Sequence, residues 1–476
     1  MLINKTVLAL ALIACVCILE GLLCFHLDFT AFTGSGNASL DKVGGYYPHN
    51  YQYDNDIDNN RLFPEAFDLA NKAYLLAGQA NNEWPWPNEL GTIVFNLAKN
   101  LLLSRNLDQA SGNFESLRNF FKANLFIISY PPDRYRLLLP FLASPLLWLM
   151  PLYNTYFLVN LLFWIIACWS MWWLARYTFN SGAAGLISGL LCASSYALII
   201  HVAGSKAEML QLTGFIILVA AAFILEHFSG ELSRQHLLQS FSCGLLAGVF
   251  LLAGGATIYF LPFAALYGLL NSPLRIAIIK FAALGLGLSL LLLVILIFTH
   301  DSSGLSGYPA SAMPFFNWFG CFSARVTEHF IYLIPLPLVF GAIMGLKGIR
   351  LNQAKLIISL FSCFVVSEAL LYVAQKDVCW GWTVGYYYLQ VVFPIYLLNT
   401  HFLHKLLVNN SASIQGTITK RIAGTVFLSV VLLTSNLPLL GNYYYYHQLI
   451  RPTSTKVLYY SFFTFDNLDT YRTRNR

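Results

Sequence analysis

Long apolar stretches of about 20 residues recur along most of this chain, and polar residues are concentrated in the gaps between them. These stretches lack the alternating polarity of a membrane β-barrel, so they predict α-helices, which satisfy their own backbone hydrogen bonds in lipid. The first predicted crossing is Thr6–Leu27. The others are predicted at 155–175, 182–202, 208–227, 238–255, 257–270, 278–299, 328–346, 356–375, 384–403 and 422–441. The pattern predicts an all-α polytopic membrane protein with about 11 transmembrane helices.

Residues 137–152 are apolar but leave two alternatives. A helix of this length would measure about 24 Å, which is short for a bilayer core, and the segment contains Pro140, Pro145 and Pro151. It either crosses the membrane or dips into it and returns. The second alternative places most Lys and Arg residues of short loops on one side, in agreement with the positive-inside rule. Those inner residues are then Lys5, Arg176, Arg234, Arg275, Lys280, Lys347, Arg350, Lys355, Lys405, Lys420 and Arg421.

This topology divides the chain into four regions. They are a first transmembrane anchor at 1–28, a first extracytoplasmic loop at 29–135, a multi-helix membrane domain at 136–441 and an aromatic-rich extracytoplasmic tail at 442–476. The loop carries half of the 22 acidic residues. Within it, Gly91–Leu103 and Phe114–Ile128 show helical spacing of apolar residues. These two amphipathic helices either lie along the membrane surface or pack a small extramembrane domain.

Composition supports a lipid environment. The chain is 57% hydrophobic and 11% charged, whereas soluble domains carry about 25% charged residues. The net charge of +6 is spread along the chain, and no basic run indicates a nucleic-acid partner. The lipid bilayer is therefore the partner that composition predicts.

The junction Tyr130–Pro140 places charged residues where the polar loop meets the apolar helices. Arg134 and Arg136 lie at this predicted boundary between water and lipid. Charge near the hydrocarbon is costly, and guanidinium groups bind phosphate with strong, often bidentate hydrogen bonds. A phosphate-bearing lipid is therefore one ligand that these arginines predict. The alternative is that they extend to ordinary lipid headgroups.

The stretch from Tyr130 to Leu270 resembles the GT-C superfamily of polytopic glycosyltransferases, especially its bacterial branches. The resemblance is carried by an anchor helix, a large acidic first outer loop, the run Tyr135-Arg-Leu-Leu-Leu-Pro-Phe-Leu-Ala143 and the charged loop Gly204-Ser-Lys-Ala-Glu208. It implies transfer of a sugar from a polyprenyl-phosphate carrier to an acceptor on the outer face, in a bacterial inner membrane with the active site toward the periplasm.

The resemblance also implies roles for particular residues. The family places a catalytic acid early in the first outer loop, where this chain has Asp41, Asp54, Asp56 and Asp58; Asp54, beside aromatic residues, fits best. Such an acid would take the proton from the acceptor hydroxyl. Arg134 and Arg136 would hold the carrier phosphate. Lys206 and Glu208 either pair with each other or face the same cavity.

The same acidic cluster has two other interpretations. Asp54, Asp56, Asp58 and Glu65 occupy positions one, three, five and twelve of an EF-hand-like spacing, although the usual glycine at position six is replaced by Asn59. Oxygen ligands at this spacing suit Ca²⁺ or Mn²⁺. The remaining alternative is a plain polar loop without metal or catalysis.

Two functions other than sugar transfer remain open at this point. One is a transporter or flippase of a lipid-linked or small solute, and the other is a non-catalytic subunit of an envelope complex. Glu20 and Glu368 fall within predicted crossings, and a carboxyl group inside the membrane is itself a functional hypothesis.

Overall fold

The computed structural model describes residues 5–32, 96, 112, 114–116, 138–148, 152–199, 202, 208–227, 234–254, 259–299, 334–373, 390–408 and 414–445. Most of these residues are in α-helices, with a 3-10 helix and a few turns among the rest, and none of them is in a β-strand. The all-α prediction is confirmed for this part of the chain. The helices are α1 (Lys5–Phe32), α2 (Leu138–Ala143), α3 (Leu152–Thr178), α4 (Gly182–Ala193), α5 (Tyr196–Ile199), α6 (Glu208–His227), α7 (Arg234–Leu251), α8 (Phe260–Asn271), α9 (Leu274–Thr299), α10 (Leu336–Gly345), α11 (Leu351–Val373), α12 (Val392–Leu407) and α13 (Ile414–Tyr445).

Five of these helices are long and apolar enough to cross a membrane. Their apolar windows are Lys5–Leu23 in α1, Thr155–Thr178 in α3, Met209–Glu226 in α6, Leu274–Leu293 in α9 and Ile414–Asn436 in α13. Shorter apolar helices, among them α4, α8 and α10, pack with them. The protein is therefore embedded in a membrane, as predicted. The total of 11 crossings stays a prediction.

The described part of the ambiguous segment 137–152, residues 138–148, does not form one continuous α-helix. The six residues of α2 are followed by a five-residue 3-10 helix, Ser144–Trp148. Together they measure about 19 Å, which is well short of the roughly 30 Å of a bilayer core. This geometry favours the alternative in which the segment enters the bundle and returns on the same side.

Contacts between helix ends bring many of the basic residues together. Arg176, near the end of α3, donates to the Thr6 hydroxyl in α1 at 3.2 Å. Lys405 in α12 donates to the carbonyl of Lys347 after α10. We call this the basic end of the bundle, defined by Arg176, Lys280, Lys347, Lys355 and Lys405. The predicted topology places these same residues on one side of the membrane.

A buried ion pair joins three helices at the basic end. Lys280 in α9 contacts both carboxylate oxygens of Glu226 in α6 at 3.1 Å, and the two side chains are only 7% and 8% exposed. The Ser272 hydroxyl, in the turn between α8 and α9, donates to the same carboxylate at 2.6 Å. Because both charges are paired inside the protein, their desolvation is compensated locally.

Glycines allow α7 and α9 to approach closely. A Cβ at Gly244 in α7 would overlap the backbone carbonyl of Leu284, and a Cβ at Gly287 in α9 would overlap that of Phe241. A Cβ at Gly285, by contrast, would meet nothing within 4 Å. Small residues at such interfaces let backbones pack tightly in lipid, where the hydrophobic effect does not drive association between helices.

Candidate functional site

The end of α7 that is opposite the basic end contacts two other parts of the chain. The helix ends at Leu251, and a turn follows it. The Leu138 N–H, at the start of α2, donates to the Leu252 carbonyl at 3.0 Å. The Gln211 side-chain amide, in the first turn of α6, donates to the Ala253 carbonyl at 3.2 Å. We call this the α7 junction, defined by Leu138, Gln211, Leu252, Ala253 and Gly254.

The local sequence explains why the chain turns here. The last carbonyls of a helix lack partners within it and need donors from elsewhere. Gln211 is 3% exposed and Ala253 is fully buried, so neither group can rely on bulk water. Gly254 has φ +155°, and a Cβ at this position would overlap the Gln211 amide. Glycine therefore permits both the turn and the close approach of the amide.

The α7 junction brings together two residues that closely follow the segments for which the sequence predicts substrate binding. Leu138 follows Arg136 by two residues, and Gln211 follows Glu208 by three. Glu208 is the first residue of α6, one turn before the amide that holds Ala253. Leu138 and Gln211, about 70 residues apart in sequence, thus donate to consecutive carbonyls.

The predicted site side chains themselves lie outside the described residues. This applies to Asp41, Asp54, Asp56, Asp58, Glu65, Arg134, Arg136 and Lys206, and to the side chain of Glu208. Within the described ranges, no group of three or more His, Cys, Asp or Glu residues is arranged to hold a metal ion. The catalytic, phosphate-binding and Ca²⁺ or Mn²⁺ assignments therefore stay predictions. Of the two amphipathic loop helices, only residues 96 and 114–116 are described, and they are helical.

A second polar region lies between α4 and α12. The predicted crossing 182–202 is broken at Ser194 and Ser195, which are both buried. The Tyr396 hydroxyl in α12 donates to Ser195 Oγ. Non-helical backbone at membrane depth is tolerated where protein or a cavity surrounds it. This break is therefore a second candidate for contact with a ligand.

The sequence analysis identified neither the α7 junction nor the break between α4 and α5, although the spacing of serines in the second region could have indicated it. Ser181, Ser188 and Ser195 are spaced by seven residues, which places them on one helical face. The first and last contact α12, through His404 Nε2 at 2.9 Å and through Tyr396. A search for polar residues at spacing seven within apolar runs would have identified this face.

No protein-family model matches the chain, and no curated protein is significantly similar to it in sequence. The class of the protein therefore rests on its own fold, an all-helical membrane protein in which many of the described basic residues lie at one end. Its most informative polar contacts, those of the α7 junction, lie at the other end.

Proposed function

We propose that this protein is a membrane glycosyltransferase that transfers a sugar from a polyprenyl-phosphate carrier to an acceptor. We place its active site on the extracytoplasmic side, at the end of the bundle opposite the basic end. In a bacterium this site would face the periplasm from the inner membrane. The GT-C-like motifs of the sequence motivate the proposal.

The observation that carries the proposal is that one turn holds the starts of the two helices that follow the charged segments. Helix α2 begins two residues after Arg136, and α6 begins at Glu208, two residues after Lys206. The first turns of both helices are held by the carbonyls of Leu252 and Ala253. Charged side chains that lie near one shared turn can bind the same phosphate with little further ordering. Such pre-organised charge is what stabilises a phosphate group during catalysis.

Each predicted residue has a distinct role in this reaction. The arginines would neutralise the phosphate as the bond between sugar and phosphate breaks. Asp54 would accept the proton of the attacking hydroxyl, with Asp41 and Asp56 as the alternatives. A divalent cation at Asp54, Asp56, Asp58 and Glu65 would instead contribute charge to the same loop.

The test is sugar transfer by purified protein reconstituted with polyprenyl-phosphate sugars. Arg136→Ala should lower transfer by about 100-fold or more, because it removes charge stabilisation of the leaving phosphate. Asp54→Asn should lower it by a similar factor. Lys355→Met at the basic end is the matched control and should transfer normally.

The outcome of this assay discriminates between the candidate functions. Unchanged transfer by both Arg136→Ala and Asp54→Asn would reject the site. Absence of transfer by the wild type with every carrier tested would reject the enzyme and favour a non-catalytic subunit. Chelation followed by addition of Ca²⁺ or Mn²⁺ to the same reaction would show whether the acidic loop requires a cation.

A transporter is the second candidate, and the broken helix α4–α5 is the observation that favours it. Transporters bind substrates at discontinuous helices near the middle of the membrane. Solute uptake into proteoliposomes, without sugar transfer and sensitive to Tyr396→Phe, would support this candidate over the enzyme.

A further inference from the structure

Two hydrogen bonds join α12 to the region of α4, one at each end of α4. At the basic end, Nε2 of His404 in α12 lies 2.9 Å from the hydroxyl of Ser181, the N-cap residue of α4. At the other end, just after α4, Ser195 Oγ accepts a hydrogen bond from the Tyr396 hydroxyl of α12. The earlier serine thus contacts the later residue of α12, so the two helices run antiparallel.

The stretch between these two contacts carries one hydroxyl on each helix. Ser188 is seven residues from each of the two serines that contact α12, so it lies on the same face of α4. Thr400 is four residues from both Tyr396 and His404, so it lies on the same face of α12. Each hydroxyl is therefore on the face that packs against the other helix.

Both residues are fully buried, with 0% of their surface exposed. Among the residues that the structure describes, neither Ser188 Oγ nor Thr400 Oγ1 has a hydrogen-bond partner. A hydroxyl has one donor and two acceptor positions, and buried polar groups of native proteins nearly always have a partner, either protein or ordered water. Two orphaned hydroxyls on facing surfaces therefore indicate a ligand that can both donate and accept hydrogen bonds.

The charges of the two helices favour a neutral ligand. Helix α4 contains no charged residue. The lysine of α12 is Lys405, which lies more than one turn beyond Thr400 and donates to the Lys347 carbonyl at the basic end. An ion beside Ser188 would therefore have no countercharge on either helix next to it, and burial of an unpaired charge is costly.

Water is the smallest neutral ligand with the required chemistry. Buried waters bind groups that are otherwise unsatisfied, typically with two to four partners. One water can bridge two hydroxyl oxygens that are about 5–6 Å apart, and packed helices, with axes about 8–10 Å apart, bring facing side chains within this range.

We propose that a water molecule binds inside the membrane domain between α4 and α12, hydrogen-bonded to the hydroxyls of Ser188 and Thr400. The water completes a line of polar contacts along this interface, from the helix break at Ser195 to the contact of His404 at the basic end. The site is distinct from the α7 junction, and it requires neither sugar transfer nor solute transport.

Thermal unfolding of the reconstituted protein separates bridged hydroxyls from dry ones by the sign of the effect. Ser188→Ala and Thr400→Val each remove a hydroxyl with little change of shape. Each should lower Tm by about 1–3 °C. The double variant should lose less than the sum of the two, because either substitution already releases the water. Dry hydroxyls would instead leave Tm unchanged or raised, since removal of an unpartnered polar group relieves its desolvation.

Thr213→Val in α6 is the matched control for this cycle. Thr213 is also fully buried, but its hydroxyl donates to the Met209 and Phe163 carbonyls at 2.7 and 3.0 Å. Its loss of stability should simply add to that of Ser188→Ala. An unchanged or raised Tm in Ser188→Ala or Thr400→Val, or additive losses of these two, would overturn the proposal.

X-ray radiolysis with mass spectrometry detects the water itself, because hydroxyl radicals formed from a bound water oxidise the side chains beside it. Tyr396, only 2% exposed and one turn from Thr400, should be oxidised in the wild type and several-fold less in the Ser188→Ala, Thr400→Val double variant. Phe263, fully buried among aromatic rings, is the internal control. Tyr396 oxidation no faster than that of Phe263 in the wild type contradicts the proposal even if the double variant does not fold.

Discussion

The buried ion pair at the basic end gives the sharpest test of how the helices are held together. In Glu226→Gln the side chain keeps its shape, but the Lys280 ammonium loses the carboxylate that it contacts at 3.1 Å through both oxygens. Because the two groups are 7% and 8% exposed, water cannot readily replace the carboxylate. Removing one partner of such a pair costs about 3–5 kcal/mol, so we expect a loss of stability in this range.

The assay is reversible unfolding of the purified protein in lipid nanodiscs or detergent, for four proteins that form a double-mutant cycle. They are the wild type, Glu226→Gln, Lys280→Met and the double variant. The double variant should be much more stable than the sum of the single losses predicts, because it leaves no unpaired charge in the protein interior. Lys355→Met serves as the control, since its contact with Asn271 is long, at 3.4 Å, and exposed; it should cost less than about 1 kcal/mol.

Additive losses in this cycle would refute the reasoning, because they would mean that the two side chains do not interact. A Glu226→Gln variant as stable as the wild type would also contradict it. That result would mean that the carboxylate is not needed to stabilise the ammonium at this junction of α6, α8 and α9.

Three further predictions concern close packing and the two polar regions. Gly254→Ala should destabilise the fold by about 1–3 kcal/mol in the same unfolding assay, because the new methyl group strains a positive-φ turn and displaces an amide donor. Gly287→Val should prevent stable packing of α9 on α7, whereas Gly285→Ala on the same helix should be neutral or slightly stabilising. Tyr396→Phe should cost about 1 kcal/mol by removing the hydrogen bond to Ser195, and Ser195→Ala should add little further loss.

Helix positions could be predicted well where a continuous apolar run is bounded by polar residues. The predicted crossing 208–227 coincides with α6, Glu208–His227. The first and last residues of α6 are titratable and its interior is apolar. The limits of the segment that is stable in lipid therefore coincide with the limits of the helix. At the ends of the chain the helices extend further than predicted: α1 reaches Phe32, and α13 continues to Tyr445 within the predicted tail.

The break between α4 and α5 could not be predicted by the same reasoning. Ser194 and Ser195 lie in an otherwise apolar run, and isolated serines are common within membrane helices. The donor to Ser195 is Tyr396, about 200 residues later in the chain. Hydropathy records local composition and contains no information about such a partner.

The sequence by itself determined the all-helical membrane fold, because only helices satisfy the backbone of long apolar segments in lipid. It also provided the hypothesis that particular residues of the first outer loop and of the following junction carry out sugar transfer, which stays a prediction. Only the tertiary structure decided that the segments after Arg136 and after Glu208 meet on the carbonyls of Leu252 and Ala253. Every residue carries the same backbone carbonyl, so the choice of acceptor depends on how the helices pack and not on side-chain identity.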